Sequence, residues 1–235
     1  MQSNRDPVLK FTEQREGGYS CRRDDDGNWT GGRRGRGRLV GSMRGISAPE
    51  MVCWTGLSPD LVTVEMMRSI TPDLYRRIAT AHYWNPLWCD HLPAGVDLMM
   101  FDYGFNAGVH GALSVLASIY GSLDRTDVMT EQLLSRVLTV PEIVLSRMIA
   151  GDLAREMQRS LHVDADGVIG PVTLAAISEK QLENLLTIYA LGCAQERAYR
   201  QMRGWVANGT GWLARLHQRV EIAAEWAVAA VRPDA

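Results

Sequence analysis

Several things are scarce in this chain of 235 residues, and each scarcity excludes something. The four cysteines, Cys21, Cys53, Cys89 and Cys193, stand far apart with no CxxC pair, so neither a disulfide-packed scaffold nor a zinc ribbon is expected. They read as reduced thiols. No second ligand pair joins Cys89 and His91 at a useful spacing, and the histidines show no ligand pattern, so no metal and no cofactor is expected. Apolar runs such as Leu185–Gln195 fall well short of the roughly 18 residues a membrane span needs. The opening MQSNRDPVLKF lacks the apolar core of a secretory signal. The expectation is cytoplasmic accumulation.

Lysine is also scarce: of the 25 basic residues only Lys10 and Lys180 are lysines. Arginine holds planar anions by two-point contacts. The net charge of -2 is unevenly spread, because Arg33, Arg34, Arg36, Arg38 and Arg44 crowd one glycine-rich stretch. Without interleaved aromatics this is a poor nucleic-acid tract. A solvated loop and a contact for an anionic envelope polymer both remain open for it.

What is plentiful is helical pattern. Asp6 and Pro7 suit a helix start, and Gly17-Gly18 suits its end. Residues 17–45 read as loop. Beyond them come Thr71-Pro72-Asp73, Pro93–Ala107, 110–120, Glu142–Leu161, Gln181–Trp205 and Trp212–Val231 as helices. Gly167, Gly170 and Pro171 mark a tight turn before a short helix. The fold expected is mainly α, a helical bundle with at most a small sheet or hairpin within 17–55.

The sharpest chemical signal is Glu16-Gly17-Gly18-Tyr19 followed by Asp24-Asp25-Asp26. Glu16 shares a helix face with Leu9, seven residues earlier, and lies at the negative helix end. Both settings favour the protonated form that a general acid needs. Asp25, nine residues on, completes a two-carboxylate arrangement of the glycosidase type. Trp29, beside the acidic run, is the best candidate for stacking on a sugar. Asp102, inside an apolar helix, reads either as a structural ion-pair member or as a residue lining the cleft. Asn106 either bonds a sugar N-acetyl group or caps its helix. Asp166 and Thr173 flank the Gly-Pro turn, whose helix N–H groups could hold a stem-peptide carboxylate.

At this point the sequence resembles a family. Glu16-Gly17-Gly18-Tyr19, Asp25-Asp26-Gly27-Asn28-Trp29-Thr30-Gly31-Gly32 and Arg44-Gly45-Ile46-Ser47 resemble the N-terminal signature of the glycoside hydrolase family 108 N-acetylmuramidases, lysozyme-like enzymes of bacteria and phages. Tyr83-Trp84, Phe101–Gly108, Asp166–Thr173 and Gly211–Arg215 follow in the family's order.

The resemblance implies a lysozyme-like α+β fold and cleavage of the β-1,4 bond between N-acetylmuramic acid and N-acetylglucosamine. It makes Glu16 the catalytic acid, puts Asp25 and Thr30 in assisting places, and makes Tyr83 a substrate contact. Asp26 stands where a proline is common, and which of Asp24, Asp25 and Asp26 faces the sugar is open. A lytic transglycosylase on the same bond and a non-catalytic wall binder are the alternatives. Residues 1–122 are expected to hold the catalytic region, and 123–235 a helical peptidoglycan-binding region packed on it. The expected partner is bacterial peptidoglycan, met by a monomer of the phage-endolysin type that depends on a separate pore-forming protein for export.

Overall fold

The computed structural model describes residues 4–120, 128–138, 155, 158–159 and 179–229. The chain divides into two compact units, Arg5–His82 and Tyr83 onward, the latter joined by Asn4. The expected boundary at 122/123 lies outside the described residues, as do the expected helix start at Glu142, the Gly167–Pro171 turn, Asp166 and Thr173.

The first unit opens on α1 (Arg5–Glu13), which buries Val8, Leu9, Phe11 and Thr12. It begins one residue before Asp6, so Asp6 and Pro7 occupy its first turn rather than its cap. Three short helices follow: α2 (Ala48–Thr55), α3 (Val64–Arg68) and α4 (Pro72–Ala79). Each has a side-chain cap. Ser47, Thr63 and Thr71 accept the backbone N–H of Glu50, Met66 and Leu74, giving orphan donors a partner at each start. The Tyr75 hydroxyl, fully buried, donates to the Leu9 carbonyl at 3.3 Å and ties α4 to α1.

Between α1 and α2 lies a hairpin-like excursion. Its antiparallel bridges are Ser20–Ser42, Trp29–Leu39 and Met43–Ile46, all inside the 17–55 window where a small hairpin was expected. Gly41 makes the crossing at its base (φ 87°): a Cβ there would stand 2.5 Å from the Ser20 carbonyl oxygen and 2.7 Å from the Tyr19 ring. No other residue type fits that approach without moving the backbone.

The second unit is built on α5 (Val96–Ile119), α7 (Glu179–Gln201) and α8 (Trp205–Ala229), with the shorter α6 (Glu131–Leu138) beside them. α5 is almost wholly apolar from Val96 to Phe105 and is buried over that length. Gly108 (φ 80°, ψ 157°) breaks its helical path, so the two expected helices 93–107 and 110–120 form one element with a kink. The expected helix Gln181–Trp205 stops at Gln201, and α8 starts at Trp205 instead of Trp212. The Asn-Gly-Thr-Gly stretch that suggests a break is helical because its small residues are packing sites: a Cβ on Gly209 would stand 2.8 Å from the Trp205 indole. The described chain is mainly α, as expected.

The centre of this unit is polar. Asp102 is fully buried and pairs with two guanidiniums of α8, Arg215 at 2.6 and 3.0 Å and Arg219 at 2.5 Å. Arg219, itself fully buried, also donates to the Gln195 side chain at 2.6 Å, and Gln195 donates to the Met99 carbonyl at 3.0 Å. One cluster of charge-assisted bonds thus joins α5, α7 and α8. Burial pushes the nearby Tyr103 phenol up to about 12, with Tyr199 adding to the rise and Arg219 opposing it.

Candidate active site

Glu16 is set by the way α1 ends. Helical turns continue past Glu13: Gln14 N–H bonds the Lys10 carbonyl at 3.1 Å, and Glu16 N–H bonds that of Thr12 at 3.2 Å. Glu16 is half-buried at this frayed end, with exposed Gly17 and Gly18 after it. The preceding Arg15 lays its guanidinium 3.4 Å over the Phe11 ring and donates to the Phe11 carbonyl at 2.8 Å. Arg44 holds the last turn from the other side. Its Nη1 donates to Glu13 at 2.8 Å and its Nε to the Ile70 carbonyl at 3.2 Å. Arg44 adopts a left-handed backbone (φ 52°), uncommon for a side-chain-bearing residue, and is half-buried. It belongs to the frame of the site and not to the solvated arginine stretch it adjoins in sequence.

The three aspartates of the acidic run have different partners. Asp24 is gripped by Arg22 through two bonds, at 3.0 and 2.6 Å, which holds its carboxyl below the ordinary value. Asp26 accepts the Arg34 backbone N–H at 2.9 Å and meets the Arg34 guanidinium at 3.4 Å. Asp25 caps the 3-10 turn Asp26–Asn28 by accepting Gly27 N–H at 2.9 Å, and has no guanidinium against it. Of the three, Asp25 alone has no guanidinium within ion-pair distance among the described contacts.

Thr30 is buried, and its hydroxyl oxygen accepts the Arg38 N–H at 2.9 Å while its own N–H bonds the Arg38 carbonyl at 2.9 Å. Both contacts close the hairpin. Trp29 is half-buried and donates from its indole to the Arg23 carbonyl at 3.1 Å. Asn28, fully buried, donates to the Arg22 carbonyl at 3.0 Å, and its own carbonyl receives the N–H groups of Val40 and Gly41.

Sequence reasoning missed one pair in this unit. The Glu50 carboxylate bonds His82 Nδ1, and the Trp54 ring stands edge-on to that imidazole at 5.7 Å. Ser47-Ala48-Pro49-Glu50 spells a capping box. Only Ser47 plays its part, at 3.3 Å to the Glu50 N–H, while the Glu50 side chain turns to the histidine. No spacing in the sequence links positions 50 and 82.

In the second unit Tyr83 is half-buried with its ring 4.9 Å from Phe105. Asn106 is exposed, and its side-chain N–H donates to the Asp102 carbonyl at 2.8 Å, one turn back and just before the Gly108 kink. Asp102 itself has no solvent-exposed surface and spends its carboxylate on Arg215 and Arg219. That is the ion-pair alternative of its two sequence readings. Among the described residues no three His, Cys, Asp or Glu side chains gather as a metal site would. The four thiols are unbonded to one another, with Cys89 buried.

Residues 9–108 match the family model described as Glycosyl hydrolase 108. The match covers less than half of the chain and likens that segment to glycoside hydrolases. The matched segment contains Glu16, Asp25, Trp29, Thr30, Tyr83, Asp102 and Asn106. Among solved structures the chain is similar to Brucella abortus SagA, at 20% identity over 95% of each chain with a TM-score of 0.56. At that identity the likeness speaks for the fold. No curated protein matches the sequence.

Proposed function

We propose that the protein is an N-acetylmuramidase, hydrolysing the β-1,4 bond between N-acetylmuramic acid and N-acetylglucosamine. The observation that carries this is the placement of Glu16. Its carboxyl is half-buried at the end of a helix braced by Arg15 and Arg44, inside the segment that matches a glycoside hydrolase family. In this reading Glu16 protonates the leaving oxygen as the glycosidic bond breaks. Asp25 is the second carboxylate. Its capping bond to Gly27 orients it without neutralising it, leaving charge to steady an oxocarbenium-like sugar or to align water. Thr30 acts by holding the hairpin that carries Asp25, and Trp29 offers an indole face to a sugar ring.

Residues 123–235 are read as the wall-binding half. No helix among the described residues is long and apolar enough to cross a membrane. The test is mass spectrometry of the muropeptides released from purified sacculi. Reducing N-acetylmuramic acid ends are expected. Anhydro ends would make the protein a transglycosylase, and intact sacculi with protein bound would make it a binder.

A further inference from the structure

The arginine-rich stretch is an ordered hairpin end. Beyond the Trp29–Leu39 bridge, Thr30 N–H bonds the Arg38 carbonyl while Arg38 N–H bonds the Thr30 hydroxyl, Gly31 N–H bonds the Arg36 carbonyl at 3.1 Å, and Arg36 N–H bonds that of Arg33 at 3.0 Å. Arg38 anchors the end to the body of the first unit by donating to the Asp60 carbonyl at 2.8 Å. Arg33, Arg34, Arg36 and Arg38 are all exposed. The neighbouring acids do not cancel this charge. Asp24 is committed to Arg22 and Asp26 to Arg34, while the side chains of Arg23, Arg33 and Arg36 have no partner among the described residues. A fixed backbone thus presents free guanidiniums at the tip of the same unit that carries Glu16.

We propose that this hairpin end is a clasp for carboxylates of the peptidoglycan polymer, those of its peptide stems, gripped by Arg33 and Arg36. The inference rests on the wall-polymer reading of the Glu16 site. Guanidinium and carboxylate match in a two-point geometry. The composition of the tip sets other anions aside. Gly31-Gly32-Arg33-Arg34-Gly35-Arg36-Gly37-Arg38 has no apolar side chain to enter a lipid interface, which surface-binding segments use together with charge. Residues 31–38 hold no aromatic ring to stack on bases either. Six residues separate Ser42, beside the Glu16 turn, from Arg36, an extended reach of at most about 20 Å.

The test measures binding of the full-length Glu16→Gln protein, which leaves the polymer uncut, to purified sacculi. One batch is native, and in the other carbodiimide coupling has turned the carboxylates into neutral amides. The parent is expected to bind native sacculi in a salt-sensitive way and amidated sacculi more weakly. Arg33→Gln/Arg36→Gln should bind native sacculi about three- to tenfold more weakly at low salt, the loss expected for two exposed ion pairs. It should match the parent on amidated sacculi, and Arg33→Lys/Arg36→Lys should recover part of the loss.

Equal binding of parent and Gln variant to native sacculi overturns the proposal, as does a parent indifferent to amidation. A loss confined to phosphatidylglycerol vesicles overturns it in favour of a lipid partner. The muramidase reading fails separately, through absence of released muropeptides from the unmodified protein. That result leaves the binding comparison intact.

Discussion

Arg44 and Glu13 stand 31 positions apart and meet at 2.8 Å, joining the loop after the hairpin to the last residue of α1, three positions before Glu16. The pair is half-buried, with side-chain exposures of 31% and 14%. Arg44 adds a bond to the Ile70 carbonyl and so gathers three segments around the α1 terminus. Replacing it with alanine leaves the Glu13 carboxylate and the Ile70 carbonyl without it. The expected cost is about 1–2 kcal/mol, read as a lower urea midpoint with an unchanged slope. Activity should fall more than stability at a temperature where the variant is fully folded, because the Glu16 turn loses its brace. A variant with the parent's midpoint would show the pair to be decorative.

Glu16→Gln should abolish muropeptide release while leaving the thermal midpoint within about 2 °C of the parent. A general acid contributes on the order of a hundredfold or more to rate, and the half-buried position accepts an amide of the same shape. The comparison is release from sacculi at equal folded protein, checked by circular dichroism.

The acidic run separates by substitution. Asp25→Asn keeps an oxygen to accept the Gly27 N–H and loses only charge, so its stability should match the parent while its activity drops at least tenfold. Asp25→Ala should lose both, with about 0.5–2 kcal/mol from the missing cap. Asp24→Asn and Asp26→Asn should cost less than threefold in activity, since their charges are already committed to Arg22 and Arg34. Equal losses at all three positions would reduce the run to a solvated loop.

Asp97 gives a pH signature. Its carboxylate accepts the N–H groups of Gly95 and Leu98 at 2.8 and 2.7 Å and the Asn4 side chain at 3.1 Å, at the start of α5. Burial outweighs those bonds and raises its pKa from 3.8 to about 6. A carboxyl with a raised folded pKa holds its proton better in the native state. Its stabilising contribution is therefore full below about pH 4 and is lost as pH rises through about 6. Relative to Asp97→Asn, the parent should gain about 3 kcal/mol on acidification from pH 7 to pH 4. Urea titrations of both proteins across that range check it, and parallel curves would contradict it.

The sequence exposed what depends on near neighbours. Thr71 before a proline announced α4, whereas α2 was not foreseen. The glycine between the two apolar runs of α5 announced its break, and the glycine-rich 17–45 stretch announced the hairpin region. Gly17-Gly18 marked the end of the first helix, although α1 stops at Glu13 and Glu16 lies in the turn beyond it. What stayed hidden depends on pairs far apart in sequence. His82 finds Glu50, Asp97 finds Asn4, and Asp102 finds Arg215 and Arg219, 113 and 117 positions away. A lone Asp in an apolar helix shows that some partner must exist, and not which one. The helix break expected before Trp212 misled for a related reason: glycines that punctuate turns elsewhere make room here for indole rings.

The Asp102 pairing also sets a lower limit on how far the protein can be trimmed. The family match ends at residue 108, yet the acid it encloses is paired with two arginines of the last described helix, α8. A shortened chain made of residues 9–108 alone would lose both arginine partners of a carboxylate in the middle of an apolar helix, a defect of roughly 3–5 kcal/mol. Anyone moving this segment into another protein must therefore carry α8 along, or replace Asp102 with an apolar residue and refill the space its two arginines leave.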